Sequence, residues 1–335
     1  VRAPRDLTAA LARDLASARS LEELERVGTA ARSILPRSDP VLREPRPVPP
    51  THDEGDWVFD NGFVRARVRD TGAIVELATA GGRNAVAQAN LLAASSGRWA
   101  RRMAREHPVS VDGGLELRFS CGRSGISMRV VLEEDAPFLR VDLAAYWRER
   151  RASVALEHWL AIDSRDVVTN ERYARATASD GAGVAIFSAD GCAWRTRRLR
   201  RGGVHFATTL LSGPGWFRPG APVETAFSFA YAPYRNVPPS AIERAWIAFV
   251  HPARVALFVP DDDAVIVTAT KPSEAGDSAL VTVRECDGAA RAVRLHCAGR
   301  AKSVSSPTGG DVRLENEDLV FALEPLAERT FRVEF

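Results

Sequence analysis

The chain changes its hydrophobic rhythm twice. Over residues 1–35 the apolar positions fall at helical spacing: Leu7, Leu11 and Leu15, then Leu21, Leu24, Val27, Ala31 and Ile34. Ser20-Leu21-Glu22-Glu23 reads as a capping box, with Ser20 as N-cap and Glu23 at the third helical position. Two short helices cannot bury their apolar faces alone, so this segment is expected to dock on the rest or to be the stub of a larger helical domain. Pro36, Pro40, Pro45, Pro47, Pro49 and Pro50 then mark a connector over 36–56. From Trp57 the rhythm is period two. Val58, Phe59, Phe63, Val64, Ala66 and Val68 read as a hairpin, turned at Asp70-Thr71-Gly72. Further strands are predicted over 115–119, 126–132, 138–146, 153–162, 184–187, 204–211 and 227–232. Beyond a helical exception at 244–250, more follow over 255–259, 264–269, 279–285, 292–297, 319–323 and 330–335. Many short strands with turn signals and few helices predict a mainly β chain. The expected organisation is a helical stub (1–35), a linker (36–56), a large β-sandwich (57–250) and a small C-terminal β-sandwich (251–335).

Composition narrows the classes of function. Hydrophobic residues make up 45% and charged residues 26% of the 335, enough apolar material for a sizeable core. The apolar runs 245–250 and 264–268 are far shorter than the ~18–20 residues of a membrane-spanning helix. No signal-peptide pattern opens the sequence, which leaves the compartment open with the cytoplasm favoured. The net charge is only +2, against a dedicated nucleic-acid binder. Of the basic residues only Lys271 and Lys302 are lysine, a bias attributed to genome composition. The arginine runs Arg195–Arg201 and Arg148–Arg151 are expected to be solvated or ion-paired faces. Cys121, Cys192, Cys286 and Cys297 form no Cys-x-x-Cys pair and are expected as free thiols, although Cys286 and Cys297 could face each other across neighbouring strands. No Gly-x-Ser-x-Gly elbow or phosphate loop is present.

Several words of the sequence, taken in order, resemble the C-terminal β region of family 38 glycoside hydrolases, the α-mannosidases. They include Phe59-Asp60-Asn61-Gly62-Phe63-Val64-Arg65, then Gly72-Ala73-Ile74-Val75-Glu76-Leu77 and Asn90-Leu91-Leu92. Trp147-Arg148-Glu149-Arg150, Gly183-Val184-Ala185-Ile186-Phe187 with Asp190-Gly191, and Phe227-Ser228-Phe229-Ala230-Tyr231-Ala232-Pro233-Tyr234 continue the series. It closes with Leu323-Glu324-Pro325-Leu326, and Lys271 falls on a lysine position of the family. Tyr234 stands where the family has His, and Asn236 where it has Gly. The resemblance implies a large galactose-mutarotase-like β-supersandwich followed by a smaller sandwich. It further implies a retaining hydrolase whose catalytic Asp, acid and zinc ion sit in an N-terminal domain. This chain has no His-x-Asp zinc motif. It is therefore expected to hold no cofactor and no metal of its own, zinc belonging to the missing domain. Its expected role is non-catalytic: to support a catalytic domain or subunit and to contact carbohydrate, mannosides or other glycans. Val1 in place of Met is read as the mark of a processed chain or a segment of a longer one.

Two alternatives stay open: a stand-alone carbohydrate-binding or structural β protein, and a mutarotase-like epimerase. The epimerase would need a His acid and a Glu base on an open sheet face, and Glu157 and His158 are its candidates. Neighbours on a strand point to opposite faces, so one of the two needs a partner from another strand, and His158 by itself reads as a half-buried histidine. The carbohydrate-contact candidates are Trp216, Phe217 and Arg218, in a loop of turn formers, together with Tyr234 and Arg235. Trp147 and Trp159 are expected in the core. His52, Asp53, Glu54 and Asp56 resemble metal ligands only by type, and Asp261-Asp262-Asp263 reads as a solvated turn.

Overall fold

The computed structural model describes residues 46–96, 99–101, 103–149, 152–200, 202–212, 223–250, 258–272, 278–297, 301–307, 309–316 and 318–334. The helical segment expected over 1–35 lies outside the described residues. Two compact units are present, one spanning Pro45–Val237 and one containing Pro238 onward.

The first unit is built from β1 (Thr51–Asp53), β2 (Asp56–Asp60), β3 (Val64–Arg69), β4 (Ile74–Thr79), β5 (Val86–Ser96) and β6 (Trp99–Arg101). β7 (Ala104–Arg105), β8 (Val109–Val111), β9 (Gly114–Cys121), β10 (Ser124–Leu132), β11 (Leu139–Trp147) and β12 (Ser153–Leu160) follow. β13 (Ser164–Thr169), β14 (Tyr173–Ala178), β15 (Ala182–Ser188), β16 (Trp194–Arg198), β17 (Val204–Ser212) and β18 (Val223–Arg235) complete it. One sheet runs β1-β2-β3-β4-β5-β12-β17-β16, with β6 on β5; the other runs β13-β14-β15-β18-β11-β10-β9-β7, with β8 on β9.

Period-two patterning decides which side of each strand is inside. In β12, Val154, Leu156, His158 and Leu160 are buried, whereas Ser153, Ala155, Glu157 and Trp159 are only partly covered. Val64, Ala66 and Val68 in β3, and Leu139, Val141, Leu143, Ala145 and Trp147 in β11, follow the same rule. The inner faces of both sheets merge in one core with Phe59, Leu117, Met128, Phe206, Phe229 and Tyr231 fully or almost fully buried. Each such side chain contributes about 1.5–3 kcal/mol by leaving water. Trp147 joins this core as expected; Trp159 does not, because it occupies an outward position of β12.

The second unit opens with α1 (Pro239–Val250), the only helix among the described residues, enclosing the expected helical stretch. Pro239 in the first turn has no N–H to leave unpaired, and the Asp287 carboxylate accepts from the Ser240 backbone N–H (3.1 Å) and hydroxyl (3.3 Å). Then come β19 (Phe258–Pro260), β20 (Val265–Pro272), β21 (Ser278–Glu285), β22 (Arg291–Cys297), β23 (Ser303–Ser305), β24 (Val312–Glu315), β25 (Asp318–Leu323) and β26 (Glu328–Glu334). They form two four-stranded antiparallel sheets, β19-β22-β25-β24 and β20-β21-β26-β23. Val281, Val283, Leu295, Leu319, Phe321, Phe331 and Val333 fill the space between them. Cys286 follows β21 and Cys297 ends β22, strands of different sheets, so the two do not face each other across paired strands; none of the four cysteines forms a disulfide.

Candidate functional site

The sequence places Glu157 beside His158, and the pleat sends them to opposite faces of the first sheet. His158 is fully buried. Its Nδ1 accepts the backbone N–H of Asn90 (3.2 Å), which puts the ring proton on Nε2. Asn90 has a left-handed φ of 56° inside β5, where the pairing with β12 shifts register. From there its amide donates to the Gly72 carbonyl (2.8 Å) and its Oδ1 accepts the Tyr231 hydroxyl from the opposite sheet (3.0 Å). The rings of Tyr231 and Trp194 lie 5.5 and 6.0 Å from the imidazole. Burial, with a smaller push from His205, holds the His158 pKa down to about 3. A buried histidine that stays neutral ties β12 to β5 within one sheet, and Asn90 carries the link on to Tyr231 of the other. Burial likewise raises the Tyr231 hydroxyl well above its ordinary range. Burial also raises the Cys192 thiol, against hydrogen bonds with Thr208 and Ser188, so this half-buried cysteine is not an activated nucleophile.

Glu157 faces outward, and its partner comes from β17. His205 Nε2 lies 3.8 Å from Glu157 Oε2, with the two side chains 21% and 26% exposed. That separation is too long for a direct hydrogen bond, and His205 Nε2 is a buried atom with no hydrogen-bond partner among the described residues; proton exchange between the two groups requires a hydroxyl or water to reach it. The Trp159 indole lies beside the His205 ring, centroids 4.6 Å apart and planes tilted by 30°. The register extends this surface to the edge strand β16. Trp159, His205 and Arg197 oppose one another along one row, and Glu157, Ala207 and Arg195 along the next. Burial lowers the pKa of His205; Glu157 opposes the shift, and Arg197 and Arg195 reinforce it. His205 is the residue that sequence reasoning missed. Its only trace in the sequence is a polar position in the alternation of Val204-His205-Phe206, and nothing there gives the register that brings it opposite Trp159.

The other candidates fall elsewhere. Trp216, Phe217 and Arg218 lie outside the described residues. Tyr234 is half-buried on β18 of the second sheet, away from Glu157, and its hydroxyl meets Thr177 Oγ1 (2.8 Å) and the Ala176 carbonyl (3.3 Å). Its ring covers Gly183, directly opposite on β15. Arg235 is exposed at the end of the same strand. His52 and Asp53 lie on the β1 hairpin strand, where Asp53 pairs with Arg67 at 3.0 Å. Asp261-Asp262-Asp263 forms the turn before β20: Asp262 accepts from the Ala264 N–H (2.8 Å) and from Arg291 (2.8 Å), and Asp263 pairs with Arg244 (3.0 Å).

No known family model matches this chain, and no curated protein sequence matches it. Solved structures do. An α-mannosidase from Enterococcus faecalis V583 superposes with a TM-score of 0.60 at 11% identity, over 83% of this chain and 42% of that one. A protein in glycosyl hydrolase family 38 from Enterococcus faecalis gives a TM-score of 0.56 at 11% identity, over 83% of this chain and 44% of that one. The chain thus spans less than half the length of either. It shares the fold of the β-sandwich region of these carbohydrate-active enzymes; at 11% identity the likeness shows the fold alone.

Proposed function

We propose that this chain is a β-sandwich module of an α-mannosidase-like glycoside hydrolase. It supports a catalytic domain and presents a sheet face to carbohydrate. On this reading the reacting carboxylates and the zinc ion belong to that catalytic domain, and the residues of this chain hold, shape and contact. The observation that carries the proposal is the extent of the likeness: 83% of the chain is covered, more than either unit alone contains. The test is hydrolysis of 4-nitrophenyl α-mannoside. The chain alone is expected to be inactive, and the same gene or its neighbour is expected to encode a domain with a His-x-Asp zinc motif whose activity requires this module. Hydrolysis by the chain alone, or no such domain, overturns the proposal.

A second reading rests on the Glu157–His205 pair. A carboxylate and a neutral imidazole 3.8 Å apart on an outer sheet face are the groups a mutarotase-like epimerase uses to move a proton between the ring oxygen and the anomeric hydroxyl. Polarimetry of glucose and galactose decides it. Acceleration that disappears in both Glu157→Gln and His205→Ala supports this reading, and no acceleration by the wild-type chain removes it.

A further inference from the structure

We propose that the outer face at the β12–β17–β16 edge binds an anionic saccharide, one carrying uronate or sulfate groups. The inference rests on the carbohydrate role proposed above and deepens it. Its basis is the register. Trp159, His205 and Arg197 form one row across three strands, and Glu157, Ala207 and Arg195 form the row beside it. Strands lie about 4.8 Å apart, so each row spans about 10 Å, the length of roughly two sugar rings. A ligand lying across the strands meets an indole, an imidazole and a guanidinium in turn.

The second row has the opposite relief. Ala207, the small residue between two charged ones, is buried, so the Glu157 and Arg195 side chains are the parts of this row that a ligand meets. An aromatic surface takes the apolar C–H face of a pyranose. The Glu157 carboxylate accepts from hydroxyl groups, and His205 Nε2, buried and without a partner among the described residues, is a polar atom that a hydroxyl reaching it would satisfy. The planar guanidinium fork matches a carboxylate or sulfate.

Among the described residues, several arginines of the unit are held in ion pairs, and the two of this edge are not. Arg65, Arg67, Arg83, Arg140 and Arg175 each lie within ion-pair distance of a carboxylate. Arg195 and Arg197 are exposed and have no carboxylate at that distance among the described residues, and both lower the pKa of His205. Arg195 also lines the mouth of a cleft of about 270 Å³ that runs in between the two sheets, with Cys192, Thr208, Phe227 and Phe229. Arginine on an edge strand also discourages pairing with another chain. That role requires charge alone, with no indole, carboxylate and imidazole in register with it.

The test is calorimetric titration of the chain with a galacturonate tetrasaccharide, a sulfated dextran oligosaccharide, mannotetraose, inorganic sulfate and a single-stranded oligonucleotide. The expected result is binding of one or both anionic saccharides at least tenfold tighter than mannotetraose and sulfate, weakened by salt. Arg195→Gln/Arg197→Gln should reduce that affinity at least tenfold, and tryptophan fluorescence should respond to the ligand in the wild type and lose that response in Trp159→Phe. Unchanged circular dichroism and melting of this exposed double variant would separate loss of binding from loss of fold. Equal binding of neutral and acidic sugars would overturn the inference while leaving the carbohydrate module intact. Tighter binding of the oligonucleotide, retention of affinity in the double variant, or aggregation of that variant with unchanged affinity would also overturn it. No binding of any saccharide overturns both.

Discussion

Glu157 and His205, 48 positions apart in the chain, lie with Oε2 and Nε2 3.8 Å apart, while His158, adjacent to Glu157 in sequence, is buried on the other side of the same sheet. The relationship follows from two elementary rules. Alternation separates i from i+1, and antiparallel register joins Glu157 with Ala207 and Trp159 with His205. His205 therefore sits diagonally next to Glu157, and the guanidinium groups of β16 complete its surroundings.

The titration of His205 should report those surroundings. Each arginine disfavours the imidazolium, so Arg195→Gln and Arg197→Gln should each raise the pKa of His205. Glu157 favours the imidazolium, so Glu157→Gln should lower it. Proton NMR of the imidazole ring across pH 4–8 measures both signs. Shifts of equal sign in the arginine and glutamate variants would mean that these side chains do not act on His205 through charge.

His158 should make the first unit sensitive to acid. Its folded pKa of about 3 lies below the ordinary 6.5, so the unfolded chain binds the extra proton between these values. Its contribution to stability is complete above about pH 6.5 and is lost as pH falls toward 3, at about 1.4 kcal/mol per pH unit. Urea unfolding at pH 7, 5.5 and 4 should show a steeper loss in the wild type than in His158→Phe. Parallel slopes would place the acid sensitivity in other groups.

The same three residues mark what the sequence discloses. The alternation of β12 and the turns around Gly72 and Gly191 are written in local chemistry, so strands, the single described helix and the two-sandwich organisation could be read directly. The facing of Glu157 against His158 was also readable. The partner of Glu157 was not, because register is fixed by long-range pairing and by the irregularity at Asn90, whose left-handed backbone no local pattern announces. Trp159 was misread as core for a related reason. A tryptophan between buried neighbours looks internal until its parity on the strand is known.

Asn90 should be the costliest polar residue to change in the first unit. It joins β5 to the Gly72 turn and to Tyr231 on the opposite sheet. Tyr231→Phe should cost about 1–1.5 kcal/mol, the net value of one hydrogen bond plus an unmet acceptor. Asn90→Ala should cost about 3 kcal/mol, because it strands the Tyr231 hydroxyl and puts a side chain less suited to positive φ at this position. The double variant should be less destabilised than the sum, since the two share one bond. Full additivity in denaturant unfolding would argue that this bond contributes nothing.

In the second unit the corresponding tie is Glu285, fully buried at the end of β21. Burial alone would raise its carboxyl. The backbone N–H groups of Leu326 and Asp287, the Arg291 guanidinium and the Gly288 N–H, at 2.8–3.1 Å, instead hold its pKa at about 2. One carboxylate thus fixes two turns, and Asp287 in one of them caps α1 through Ser240. The folded pKa lies below the ordinary 4.5, so this contribution is present above pH 4.5 and is lost as pH falls toward 2. Glu285→Gln turns one acceptor into a donor aimed at other donors, and should destabilise this unit by about 2–4 kcal/mol. Hydrogen exchange should then speed up at Asp287, Gly288, Leu326 and the first turn of α1 together. The turn residue Leu326 is exposed and held at a φ of 58°, so Leu326→Gly should relieve about 1 kcal/mol and partly restore the Glu285→Gln variant. Faster exchange confined to 287–288, with the first turn of α1 still protected, would show that the helix does not depend on this carboxylate.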